Sequence, residues 1–158
     1  DYQAVNLLTD ILSDGKSSRF YQNVISKGGL FTSLSSFITG SIEPGLLLVT
    51  GMIDSKITFD IARNVILEEI DKLFTRGPEE SELQKVKNRL EMQFLVSETS
   101  VLSKAMNLAY YELLGDAQQI NREMEKYKSI SSQDIQRVAA TLFKNEGLKE
   151  LRYQKNKK

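Results

Sequence analysis

The side chains that could do chemistry in this chain are carboxylates, amines, guanidinium groups and hydroxyls, because its 158 residues include no histidine and no cysteine. This composition excludes zinc sites built from His or Cys, disulfides, cysteine nucleophiles and every catalytic arrangement that depends on an imidazole. The chain thus lacks the residue that most enzyme classes use most often in catalysis. We therefore assign no catalytic, cofactor-binding or metal-ligating residue to the chain.

A phosphate-binding loop is the first chemistry that the remaining residues suggest. Asp14-Gly15-Lys16-Ser17 resembles the end of such a loop. The motif also needs a preceding strand and a glycine at the position where this chain has Asp10. We therefore interpret Lys16 as a solvated turn residue.

Three groups of neighbouring acids could be considered as metal ligands or paired catalytic carboxylates. Acids in a first helical turn are explained by the helix dipole alone, and glycosidase carboxylates normally come from separate elements facing one cleft. We interpret all three groups as solvated helix surface. They are Glu79, Glu80 and Glu82; Glu68 and Glu69; and Glu123 and Glu125.

The elements that would position these side chains begin with two helices. Apolar residues at helical spacing predict a helix over residues 2–12, ended by Asp14-Gly15. A second short helix is predicted over residues 17–26, with one of its two leading serines as the N-cap and the glycine pair at 28–29 as its end. Its inward side chains are expected to be Phe20 and Val24, joined by Tyr21.

A Ser/Thr-rich stretch, residues 30–39, and an apolar run, residues 46–53, are typical of two strands joined by a turn at residues 40–45. The second run is apolar enough for a strand covered on both faces. A hairpin of two strands is marginal in water, so we expect a further strand upstream of Asp1 or from a partner. Side-chain alternation divides the first strand into two faces: Phe31, Ser33, Ser35 and Phe37, against Leu30, Thr32, Leu34, Ser36 and Ile38.

Residues 57–143 have the apolar spacing of a series of helices. Arg76-Gly77 ends the first of them, and Pro78 fits the first position of the next. A later helix presents an apolar face that consists of Leu102, Ala105, Met106, Ala109 and Leu113.

The last helix has the clearest predicted start. Ser131-Ser132-Gln133-Asp134 has the form of a capping box, and Ile130 and Ile135 occupy the two positions of a hydrophobic staple. After this helix, residues 148–153 indicate a closing strand and residues 154–158 a basic tail.

Together these elements predict one α/β domain of the α+β sandwich type over residues 1–153, in which a sheet containing antiparallel strands packs against several helices. The first strand or strands of that sheet are expected to be missing. The 21 Lys and Arg residues balance 21 Asp and Glu residues, so no overall charge attracts nucleic acid. No apolar run reaches the ~18 residues of a membrane span, so a membrane partner is not expected either.

Several segments, in order, resemble a known family. LLTDILSDGKSSRFYQNVISKGGLFTS, which starts at Leu7, resembles the LxxxLGxGxSSRLYxxLRExxGLAYS segment of the pitrilysin/insulinase-type zinc peptidases, the inverzincins. The apolar strand, the helix ending in Arg76-Gly77, PEESELQKVKNRL and SISSQDIQRVAATLF follow in the family's order. The resemblance covers nearly the whole chain and points to the family's C-terminal, non-zinc domain.

The resemblance implies the architecture of the parent protein. Each half of the family's proteins consists of two similar α/β domains, and two halves close around a chamber in which peptide is cut. Zinc is held in the first domain of one half by a His-x-x-Glu-His helix and a more distant Glu, so zinc is expected in another domain of the parent and not here. The implied partners are the upstream zinc domain, a second homologous half in the same chain or a partner subunit, and a peptide substrate.

Two family positions that grip substrate are lost in this chain. The pattern's Arg and Tyr correspond to Ile25 and Thr32, and neither side chain supplies a cationic fork or a phenol. By the same resemblance, Phe31, Thr32 and Ser33 are expected to border the substrate chamber without performing chemistry.

The motif residues Ser18, Arg19 and Tyr21 are interpreted as structural. Ser18 would cap the helix, Arg19 would bind neighbouring carbonyls or an acid, and Tyr21 would pack.

The leading hypothesis is a non-catalytic C-terminal domain of a zinc metalloendopeptidase that closes the chamber and supports the zinc domain. The alternative is an inactive scaffold or partner subunit of a processing-peptidase-like or respiratory core-like complex. A third hypothesis is a helical interaction module with no link to peptidases. We expect a soluble protein of the bacterial periplasm or cytoplasm, with a mitochondrial location as another option.

Overall fold

The computed structural model describes residues 1–40, 45–143 and 148–154. Its mixture of helices with a small antiparallel sheet confirms the predicted α+β class. None of the described helices is long and apolar enough to cross a membrane. In chain order the elements are α1 (Tyr2–Ser13), α2 (a π-helical Phe20–Ile25 continued by the α-helical turn Ser26–Gly28), β1 (Phe31–Ile38), β2 (Leu47–Ile53), α3 (Phe59–Arg76), α4 (Glu80–Ser97), α5 (Val101–Leu113), the 3₁₀ turn Ala117–Gln119, α6 (Ile120–Ser129) and α7 (Ser132–Phe143).

One hydrophobic core joins these elements, with α1 at its centre. Leu7, Leu8 and Leu12 of α1 are fully buried, because α1 packs against β1, α4 and α7 on different sides. Leu7 and Leu8 are neighbours in sequence, so the buried surface of α1 is wider than a single stripe. Buried side chains from α2, β1, α3, α4, α6 and α7 complete the core, among them Phe20, Leu34, Leu73, Leu83 and Ile135.

The two strands pair in antiparallel fashion with an irregularity at Thr32. Phe31 pairs with Ile53 and Ser33 with Met52, so Thr32 is an extra residue in β1. Because a bulge adds one residue to the strand, side chains before it point to the opposite face from the one that regular alternation predicts. Phe31 therefore lies on the buried face together with Leu34, and the prediction that Phe31 shares a face with Ser33, Ser35 and Phe37 is wrong.

The apolar strand exists, but the prediction that it is covered on both faces is wrong for the described residues. Helices α1 and α2 pack against β1 on one side of the sheet. Met52 in β2 and Leu46 just before it are each 66% exposed. Most of the predicted turn between the strands, residues 41–44, lies outside the described residues.

The start of α4 differs from the prediction by two residues. Glu80 is its first helical residue and Glu79 its N-cap, so Pro78 precedes the helix and is not its first residue. The reason is a capping interaction, since the carboxylate of Glu82 accepts a hydrogen bond of 3.0 Å from the backbone N–H of Glu79.

The predicted start of the last helix is confirmed. The Ser131 hydroxyl oxygen accepts from the Asp134 N–H at 3.2 Å, and the Asp134 carboxylate accepts from the Ser131 N–H at 2.9 Å. Ile135 is fully buried, and Ile130 packs partly buried against the same core.

The predicted closing strand at residues 148–153 is wrong. The segment 148–154 forms neither strand nor helix, and Leu151 is 95% exposed. Ion pairs hold the segment instead, because Arg152 contacts Asp60 at 2.8 Å and Glu150 contacts Arg63 at 3.3 Å, both on α3. The predicted basic tail lies, apart from its first residue, outside the described residues.

Candidate functional site

Ser17, Ser18 and Arg19 form the SSR motif, and its second serine stabilises the start of α2. Ser18 is buried, and its hydroxyl donates a hydrogen bond of 2.7 Å to the carbonyl of Gly15. The same oxygen accepts a longer hydrogen bond, 3.4 Å, from the N–H of Tyr21. Both partners are backbone groups, so no side-chain base among the hydrogen-bond partners of the Ser18 hydroxyl activates it as a nucleophile.

The arginine of the motif forms a two-point ion pair with α4. The Arg19 guanidinium donates from Nε and from a terminal nitrogen to the two carboxylate oxygens of Glu82, at 3.0 and 2.7 Å. Burial raises the pKa of Glu82, but the hydrogen bonds from Arg19 and from the Glu79 N–H, together with the charges of Arg19 and Lys85, hold that pKa below its usual value. Glu82 therefore joins α2 to α4 and caps α4 at the same time.

Arg19 and Glu82 lie on the wall of a polar cleft of about 370 Å³ between α2, α3 and α4. On its other side Lys72 and Glu69 form a second ion pair, and Lys85 donates to the carbonyl of Ser17 at 3.1 Å. The charges of the cleft thus neutralise one another or bind backbone. This arrangement links three helices and contains no nucleophile paired with a base.

Glu69 corrects the interpretation of the acids as solvated surface. Its side chain is buried, and it accepts a hydrogen bond of 3.0 Å from the side-chain amide of Asn23 in addition to its ion pair with Lys72. A buried carboxylate needs such compensation. The sequence held a signal for this, because Glu69 lies seven residues after Ala62 and four before Leu73, both on the buried face of α3.

The acid on α6 is also less solvated than predicted. The Glu123 side chain is only 14% exposed, since it accepts from Gln3 at 2.9 Å and pairs with Lys126 at 3.0 Å. Burial of the Tyr111 hydroxyl and the negative charge of Glu123 raise the pKa of Tyr111 to about 12, and Tyr2 contributes a smaller part of the shift. This cluster joins α6 to α1.

The residues expected at the substrate chamber do not share one environment. Phe31 is buried, whereas Thr32 and Ser33 are exposed beside it. The Thr32 hydroxyl donates to the carbonyl of Met52 at 3.1 Å and so closes the bulge. Ile25 packs partly buried against the core, and Tyr21 of the motif is half-buried.

No metal site is present among the residues that the structure describes. In residues 1–40, 45–143 and 148–154, no three His, Cys, Asp or Glu side chains are placed to hold one ion. The acids described above instead bind Arg19, Lys72 and Lys126.

The fold is similar to that of several solved bacterial structures, each below 25% identity. A protease from Helicobacter pylori matches with a TM-score of 0.79 and 22% identity, over 89% of this chain and 34% of that one. The inactive peptidase domain of a protein assigned as a zinc protease, from Bordetella parapertussis, matches with a TM-score of 0.78 and 17% identity, over 89% of this chain and 74% of that one. The periplasmic protease PqqL from Escherichia coli matches with a TM-score of 0.69 and 15% identity, over 90% of this chain and 16% of that one.

The chain thus spans about a third of the Helicobacter protein and a smaller part of PqqL. No curated protein sequence matches it significantly. The family model described as the peptidase M16 inactive domain matches residues 1–90, which include the SSR motif, both strands and the start of α4. With more than half of its length matched by that model, the chain belongs to the peptidase M16 inactive-domain family.

Proposed function

We propose that this chain is the non-catalytic C-terminal domain of a zinc-dependent metalloendopeptidase, in which it closes the substrate chamber and supports the zinc domain. The observation that carries the proposal is the family match to an inactive domain in a chain without a single histidine. The proposal is supported further by solved structures in which the same fold is part of a longer protease chain. Zinc and the attacking water then belong to another domain of the parent.

The exposed bulge of β1 is the part of this chain proposed to border the peptide. Thr32 and Ser33 face outward, and an extended peptide next to them could bind backbone groups of the strand. Such binding depends little on the side chains of the peptide. Buried Phe31 would position the bulge from behind without touching the peptide.

The test of the function uses the intact parent protein. We expect the parent to hydrolyse unstructured peptides, and we expect a chelator to abolish this activity and added zinc to restore it. The parent should bind one zinc ion for each His-x-x-Glu-His helix that it contains. The separate chain, residues 1–158, is expected to bind no zinc stoichiometrically by calorimetry and to cleave nothing. A parent without bound zinc and without peptidase activity would contradict the proposal.

The role of the bulge has its own test. A photo-crosslinking amino acid at position 32 of the zinc-depleted parent is expected to react with a bound peptide. The control is the same amino acid at position 84, an exposed position on α4. Crosslinks at position 84 but not at position 32 would contradict a chamber position for this strand.

The loss of the family's Arg and Tyr at Ile25 and Thr32 favours one second candidate, an inactive scaffold subunit of a two-chain assembly. Neither residue can hold a peptide by a charged or phenolic group. The two candidates differ in the rest of the parent, because only an active peptidase needs a His-x-x-Glu-His segment in the same complex. We propose a bacterial periplasmic or cytoplasmic location, and the periplasmic similar protein PqqL supports the first of these.

A further inference from the structure

Helix α5 is the least buried of the long helices in this fold. It is rich in apolar residues, yet none of its thirteen residues is buried. It packs mainly against the following 3₁₀ turn and α6, whereas α1, α3, α4 and α7 all contribute buried side chains to the core. The apolar face predicted for this helix is therefore present but uncovered.

The exposed side chains of α5 have the spacing of a helix–helix contact. Leu102, Met106, Ala109 and Leu113 follow one another at intervals of four, three and four residues, which is the a/d pattern of packed helices. We call these four residues the α5 seam. Leu102, Met106 and Leu113 are 70%, 64% and 71% exposed.

The charges of α5 lie away from the seam. Lys104 is near the opposite side of the helix and pairs with Glu98 at 3.1 Å. Ala109 near the middle of the seam leaves room for the backbone of another helix to approach. At the end of α4, Met92, Leu95 and Val96 are also more than half exposed.

A surface of this kind needs permanent cover. Soluble proteins rarely leave large contiguous apolar patches exposed, and permanent interfaces are the most apolar class. Three large apolar side chains on one face of α5, Leu102, Met106 and Leu113, are each more than 60% exposed, and apolar side chains of this kind form the cores of permanent interfaces.

The length of two of the similar chains indicates what supplies the cover. In the Helicobacter protein this fold is 34% of the chain, and in PqqL 16%. A second domain joined in the same polypeptide is held at a high effective concentration next to the seam. A second copy of the chain would have no such advantage.

We infer that the α5 seam is the docking surface for an amphipathic helix from a neighbouring domain of the same polypeptide. The inference rests on the proposed function, in which that neighbour is the zinc domain, and it assigns the support of that domain to α5. The partner helix presents large apolar side chains to the seam, with one of them opposite Ala109.

Thiol labelling of the intact parent tests this assignment. This chain has no cysteine, so Met106→Cys adds its single thiol on the seam, and Lys104→Cys adds one off the seam at a comparable exposure, 51% for the Lys104 side chain. Cysteines elsewhere in the parent are replaced by serine. We expect the folded parent to react with a maleimide at least tenfold more slowly at position 106 than at position 104, and the two rates to agree in urea.

Equal rates at the two positions in the folded parent would overturn the inference. Slow labelling that becomes fast on dilution, with a disulfide-linked dimer of the Met106→Cys parent after oxidation, would assign the seam to a second copy and also overturn it. Neither readout depends on zinc or on peptidase activity. A parent that protects position 106 but cleaves no peptide would contradict the proposed function and leave the docking surface standing.

Discussion

The ring of Phe31 lies directly against the backbone of Gly51 on the neighbouring strand. A methyl group placed on Gly51 would come within 2.8 Å of the Phe31 ring and 3.0 Å of Leu34. Real contacts of this kind are longer, so only glycine lets the ring sit here. Because Phe31 precedes the bulge at Thr32, this contact holds the irregular start of β1 in place.

Gly51→Ala should therefore destabilise the fold by about 1–3 kcal/mol, the usual cost of overpacking a tight core site. Urea unfolding followed by circular dichroism measures the change. Gly40→Ala is the matched control, since a methyl group at Gly40 meets nothing within 4 Å. Equal stability of the two variants would show that the Phe31 ring moves aside freely.

Loss of the Arg19–Glu82 pair should cost more than loss of a surface pair. The two side chains are 14% and 23% exposed, and both guanidinium contacts are charge-assisted hydrogen bonds. We expect Arg19→Met to lower the free energy of unfolding by about 1.5–3 kcal/mol. Lys128→Met, which removes a more exposed pair with Glu91, should cost under about 1 kcal/mol. Similar costs would place Arg19 among ordinary surface residues.

Asp10 should make the domain less stable as the pH rises towards neutral. Burial, with a smaller contribution from the charge of Asp14, raises the pKa of Asp10 to about 6, and Arg89 opposes the shift. Glu82 and Lys85 are the other charged groups around the same small cavity. The folded state then holds this proton more tightly than the unfolded state, whose pKa is near 3.8.

Because the folded state binds the proton of Asp10 more tightly, this group stabilises the fold at low pH. The free energy of unfolding therefore decreases as the pH rises through about 6. Asp10→Asn should remove this decrease from unfolding curves measured between pH 4 and pH 7. Asp71→Asn, which alters an exposed acid on α3, should leave it unchanged. If the stability of the Asp10→Asn variant decreased with pH by the same amount, another titrating group would be responsible for the decrease.

The cap of α7 should be a measurable local contribution. Ser131→Ala removes the acceptor for the Asp134 N–H and is expected to cost about 1 kcal/mol. Hydrogen bonds from Ser131 hold the pKa of Asp134 below its usual value, so the same variant should raise that pKa in an NMR titration. Ser81→Ala, at an exposed site in the first turn of α4, should change neither quantity noticeably.

Features that depend on near neighbours in the chain could be predicted from the sequence alone. The Asp14-Gly15 stop of α1, the Gly77 stop of α3 and the capping box at Ser131 are local, since each satisfies backbone groups within a few residues. The lack of histidine likewise excludes an imidazole zinc site whatever the fold. The order of several short segments along the chain, among them the one with Ser18 and Arg19, was sufficient to identify the family before the fold was known.

Tertiary structure decided the features that depend on residues far apart. The bulge at Thr32 turns Phe31 inward, Glu69 is buried because Asn23 and Lys72 meet it there, and residues 148–154 bind α3 through charges instead of joining the sheet. A local sequence pattern does not indicate which distant residues will contact a side chain in the fold. Those distant residues determine whether burying a polar or charged side chain is favourable. The spacing of apolar residues was enough to predict the apolar face of α5. That this face is uncovered depends on where the other helices pack, which the sequence did not indicate.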